Sequence, residues 1–181
     1  MAGRIALERY VQVSPVCGKV VERLTGATMK LVSGDGQTFE MRVLGYQFPH
    51  LETEPYDANW LMIAGDVTHP KGAWQFCDPC LLTYEAARLA SWIDAVAAGE
   101  PLPMRCGFLE PHLEFRAVGG LQQPVLRVYF ELAARPEWAP SQRVRNDDGV
   151  WVEFPLGELD LRSIARHWRE QLRAYPQRAP Q

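Results

Sequence analysis

Apolar and polar residues alternate with a period of two in several short runs, and the turns between those runs predict antiparallel hairpins. Thr28 to Val32 and Thr38 to Gln47 flank the Gly-rich turn Ser33-Gly34-Asp35-Gly36, which is a hairpin signal. Leu113, Phe115 and Ala117 alternate with His112, Glu114 and Arg116. Val128, Phe130 and Leu132 alternate with Arg127, Tyr129 and Glu131, and the two runs are linked through Gly119-Gly120. Such alternation describes a sheet with one face on the core and the other in water. Val150 to Phe154 is a further strand after the turn Asn146-Asp147-Asp148-Gly149, and Ile5 to Val13, broken by Ser14-Pro15, reads as an edge strand.

Trp60 to Val67 differs, being apolar on both parities, the pattern of a strand covered on both sides. The chain turns at His69-Pro70-Lys71-Gly72 and returns over Ala73 to Cys77.

Two helices follow from a 3.6-residue period. In the first, Thr83 is the expected N-cap and Glu85 sits in the first turn. Leu89, Trp92, Ile93 and Val96 form its apolar stripe, and Gly99 with Pro101 stops it. The second begins near Asp160 with the stripe Leu161, Ile164, Ala165, Trp168 and Leu172, while Arg162, Arg166, Arg169 and Arg173 occupy the remaining surface. The expected fold is α+β: antiparallel hairpins in one or two sheets, with a central and a C-terminal helix packed against them. Residues 1–27 read as an extension or edge strand, 28–175 as one domain and 176–181 as a frayed tail. No sequence repeat is visible.

A chain of 181 residues with 47% apolar and 23% charged content is an ordinary globular composition. It can bury roughly 70% of its unfolded surface as one domain. No apolar run approaches the length of about 20 residues that spans a bilayer, and the acid-containing N-terminus lacks the apolar core of a secretory signal. Four cysteines are too few for a disulfide scaffold, so a reducing cytosol is expected.

The net charge of −3 is segregated: residues 1–34 carry +3, residues 35–114 carry −8 and residues 115–181 carry +2. Segregation of this kind steers association with an oppositely charged partner. An overall basic nucleic-acid footprint is absent.

Candidate chemistry is sparse. Cys77-Asp78-Pro79-Cys80 is a C-x-x-C, but the predicted helix starts three residues too late to activate a thiolate, and the surroundings are antiparallel. Zinc would need Cys17 and Cys106 to complete a set, and neither lies in a second ligand pair. Buried structural thiols are the expected reading.

Glu110 and Glu114 would be about 13 Å apart along a strand, beyond the roughly 5–9.5 Å of a glycosidase pair. His50, His69, His112 and His167 stand apart in sequence, and no P-loop, G-x-G-x-x-G or G-x-S-x-G occurs. No catalytic, cofactor or metal residue is assigned. Trp138 is the tryptophan expected at the surface. A ligand-binding or enzymatic domain is the alternative, and it would need a deep pocket lined by Trp138, His112 and Glu110.

Three segments resemble the WapI-type immunity proteins of bacterial polymorphic toxin systems. They are Tyr56-Asp57-Ala58-Asn59-Trp60-Leu61, Asp78-Pro79-Cys80-Leu81-Leu82-Thr83-Tyr84-Glu85 and Arg127-Val128-Tyr129-Phe130-Glu131-Leu132. Phe108 to Phe115 fits the order of elements, and the resemblance spans roughly residues 28–175. It implies a cytoplasmic, non-enzymatic antidote that binds the C-terminal domain of a cognate toxin, often a nuclease. It assigns no contact residues. Charge layout supplies the expected contact instead: Glu52, Glu54, Tyr56 and Asp57, in the Pro-bounded loop before the apolar strand.

Overall fold

A computed structural model describes residues 28–100, 105–119, 123–139 and 149–178. The expected strand at Ile5–Val13, Cys17, the glycine link at Gly120, the stop at Pro101 and the turn at Asn146–Asp148 lie outside the described residues.

Two four-stranded antiparallel meanders form the frame. The first contains β1 (Met29–Val32), β2 (Thr38–Tyr46), β3 (Trp60–His69) and β4 (Gly72–Leu82), in that spatial order. Helix α1 (Thr83–Ala98) leads to the second, made of β5 (Arg105–Gly107), β6 (Leu113–Val118), β7 (Val125–Phe130) and β8 (Val150–Pro155), and α2 (Leu161–Leu172) follows. The fold is α+β with two sheets. Each half is a meander followed by a helix, an architectural repetition that no sequence repeat accompanies.

One core joins the halves. Phe39 on β2 meets Phe115 and Phe130 edge-on at 6.0 and 5.6 Å, and Phe76 on β4 meets Phe130 at 6.1 Å. The inner faces of the sheets therefore interdigitate through aromatic rings, which bury large areas in favoured T-shaped geometry. β3 crosses this core with Leu61, Ile63 and Val67 facing it, while Met62 and Ala64 are buried on the opposite parity. Gly65 pairs with Phe76, and a Cβ there would fall 2.1 Å from the Phe76 ring. Only hydrogen fits at that position.

The helices pack on each other beside the sheets. The Trp168 Nε1–H donates to the Ala86 carbonyl at 2.9 Å, and Asp94 pairs with Arg169 at 2.5 Å. α1 ends at Gly99, whose φ of +68° is the left-handed conformation glycine adopts freely.

Two expectations need correction. β4 runs on through Asp78-Pro79-Cys80 to Leu82, five residues beyond the end expected at Cys77. The register shifts between Leu61 and Met62, which makes Cys80 an extra bulged residue and lets the proline sit in the strand. Thr83 is the first helical residue, not the cap, and its hydroxyl donates to Asn59 Oδ1 at 2.8 Å. The helix N-terminus is satisfied instead by Glu85, whose Oε2 accepts from Leu82 N at 3.1 Å.

Candidate functional site

The loop between β2 and β3 holds Glu52, Glu54, Tyr56 and Asp57, and all four side chains are exposed. Tyr56 is 57% exposed, unusual for a large aromatic with an apolar body. The loop is nonetheless held firmly. A turn closes where Leu51 N donates to Phe48 O at 3.1 Å, and a short 3-10 turn over Asp57–Asn59 closes the other end.

Fully buried Asn59 is the hub beneath it. Its Nδ2 donates to Pro55 O at 2.8 Å, and its Oδ1 accepts from the Thr83 hydroxyl at 2.8 Å and from Arg178 N at 3.0 Å. One terminal nitrogen of Arg178 lies 3.3, 2.9 and 2.8 Å from the carbonyls of Phe48, Pro49 and Leu51. Its guanidinium stacks 3.5 Å from the Tyr46 ring centroid. Residues 176–178, read from sequence as the start of a tail, thus carry contacts to this loop and to the end of β2, where Tyr46 Oη donates to Pro176 O at 2.5 Å.

The residues of the alternative reading fall into two groups. His112 is buried, with Nε2 3.3 Å from Asp78 Oδ1, and Glu110 lies near enough to act on the Cys80 thiol. Trp138, 38% exposed, stacks on His69 at 5.3 Å and meets Trp74 edge-on at 5.8 Å. Trp74 and Asp78 are four residues apart on one strand, roughly 13 Å. The two groups do not converge on one pocket. Burial, then the charge of Lys71, lowers the pKa of His69 below its ordinary value. An open groove between the helices is lined by Ser91, Asp94, Glu100, Arg162 and Arg169, and the Asp94–Arg169 pair bridges it.

Cys77 and Cys80 are not a working pair. Cys77 is disulfide-bonded, contrary to the expectation of four thiols, whereas Cys80 and Cys106 are free and buried. The β4 bulge separates them: Cys77 pairs with Ala64, opposite the core parity, while Cys80 falls inside the core. Burial first, then Asp78 and Glu110, pushes the Cys80 thiol well above its ordinary range, which leaves it protonated and unreactive. Among the described residues, no group of three His, Cys, Asp or Glu is placed to hold a metal ion. None of the helices among them is long and apolar enough to cross a membrane.

Sequence reasoning treated the polar face of the second sheet as plain solvent surface and missed its order. Register sets Arg105, Arg116, Arg127 and Glu153 abreast across four strands, with Glu114, Tyr129 and Trp151 in the next row. Arg116 lies over Tyr129 at 4.1 Å and Arg127 over Trp151 at 5.3 Å. Glu114 is held by Arg105 at 2.5 Å and by Arg116, so it is one half of an ion-pair network rather than of a carboxylate pair with Glu110. The shared parity of the arginines was the available signal.

The profile of the Immunity protein WapI-like family matches residues 30–176 of this chain. Comparison with curated proteins and with solved structures gives no match.

Proposed function

Because the chain belongs to the Immunity protein WapI-like family, we propose that it is a non-enzymatic antidote that binds the C-terminal domain of a cognate toxin and blocks it. The contact surface in this reading is the loop bearing Glu52, Glu54, Tyr56 and Asp57. The observation that carries it is the combination of exposure and fixity: three carboxylates and an exposed tyrosine project from a backbone anchored by Asn59 and Arg178.

A surface prepared in this way binds without a large ordering cost. Exposed tyrosine supplies contact area at low entropy, and tyrosine is enriched among residues that dominate interfaces. For a nuclease toxin the chemistry is complementary, since phosphate-binding surfaces are rich in Lys and Arg. An acidic loop placed over such a surface would cover the substrate site and be drawn to it by long-range attraction.

The triple variant E52K/E54K/D57K tests this reading. All three side chains are exposed, so the fold is expected to persist. Stopped-flow association with the C-terminal domain of the cognate toxin should slow about tenfold or more at low ionic strength. The difference should shrink as salt screens the charges. An association rate equal to that of the unmodified protein would remove the loop from the interface.

A further inference from the structure

We infer that Arg178, far from the loop in sequence, is a positioning residue for it: its guanidinium fixes the loop backbone in the shape that meets the partner. The inference rests on the loop being the contact surface. Its physical basis is independent of that reading.

Among the interactions described, the carbonyls of Pro49 and Leu51 accept from Arg178 and that of Pro55 from Asn59, while the Phe48 carbonyl accepts from the Leu51 amide at 3.1 Å and lies 3.3 Å from Arg178. Those two residues are joined by the bond from Arg178 N to Asn59 Oδ1, 3.0 Å long. The guanidinium carbon also lies over the Tyr46 ring, 3.5 Å from its centroid, so the group is held by that contact while it donates. Lysine cannot reproduce this in full, because an ammonium offers donors but lacks the plane that stacks on Tyr46. Prolines at 49 and 55 contribute no amide donors. The loop therefore depends on donors from elsewhere in the chain, and its outer residues Glu52 to Tyr56 inherit their placement from them.

Charge alone gives the opposite expectation. Removing a cation beside Glu52, Glu54 and Asp57 makes the loop more negative, which strengthens attraction to a basic partner. A positioning role weakens binding instead, because only the fraction of molecules with the correct loop shape is competent.

Arg178→Ala and Arg178→Lys would be compared with the unmodified chain by two measurements. The first is hydrogen exchange at the Leu51 amide of the free protein, with circular dichroism to confirm the fold. The second is the dissociation constant for the C-terminal domain of the cognate toxin. We expect exchange at Leu51 at least tenfold faster and binding at least tenfold weaker in both variants, at an unchanged far-ultraviolet spectrum. Unchanged exchange overturns the anchoring. Faster exchange with equal or tighter binding overturns the positioning role. If binding by the Arg178 variants is unchanged while E52K/E54K/D57K slows association, only the positioning role falls. If the triple variant also binds normally, the loop reading falls and the inference with it.

Discussion

Replacing Asn59 with leucine is expected to lower the stability of the protein by about 3–4 kcal/mol, although the two side chains have the same branching and number of heavy atoms. Asn59 is fully buried, and its side chain bonds to Pro55 O, Thr83 Oγ1 and Arg178 N. Leucine deprives one acceptor and two donors of this partner, the Thr83 hydroxyl in a buried setting and the Pro55 carbonyl and Arg178 amide in part-buried ones. Each stranded group costs about 1–3 kcal/mol, less where it can rotate toward another partner. The Thr83 hydroxyl can rotate in this way, whereas the Pro55 carbonyl and the Arg178 amide are fixed by the backbone. Urea unfolding checks the estimate, with the midpoint falling at an unchanged slope. A shift under 1 kcal/mol would mean that the hub is not what ties the loop, α1 and the C-terminal segment together.

The second large effect is expected at Trp168, where substitution by alanine should cost about 4–5 kcal/mol. Its ring is fully buried between the helices, and its Nε1–H reaches the Ala86 carbonyl at 2.9 Å. The neighbouring Asp94–Arg169 pair cannot compensate, because both side chains are more than 40% exposed and such pairs contribute little. At about 2–4 °C per kcal/mol for a chain of this size, the melting temperature should fall by roughly 8–20 °C. Trp168→Phe keeps most of the volume, so it should recover more than half of the loss. Equal losses for Phe and Ala would shift the weight from packing to the hydrogen bond.

Much of the frame could be read from local pattern. The β1–β2 hairpin follows from a Gly-rich turn between alternating runs, and both helices follow from their stripes: Leu89, Trp92 and Ile93 in α1 and Leu161, Ile164 and Trp168 in α2 are buried. The misses have physical causes. Asp78-Pro79 punctuates the sequence, but a bulge at Cys80 absorbs the proline within β4. β5 has three residues, Arg105–Gly107, too few to show a period.

The loop before β3 was legible because prolines and acids cluster there. Its anchors were not, since Arg178 meets Phe48 across 130 positions and Asn59 across 119. The arginine rows of the second sheet likewise depend on register, which alternation alone leaves open.

Membership of the immunity family and an acidic loop fixed in place lead to one central claim, that this chain binds and silences a toxin domain. The direct measurement is to mix the purified chain with the C-terminal domain of the proposed cognate toxin. Complex formation would be followed by isothermal calorimetry and toxin activity in the same mixtures. A saturable complex whose formation abolishes toxin activity in proportion to occupancy is the expected result. No heat of binding, with toxin activity undiminished at excess of this protein, would contradict it.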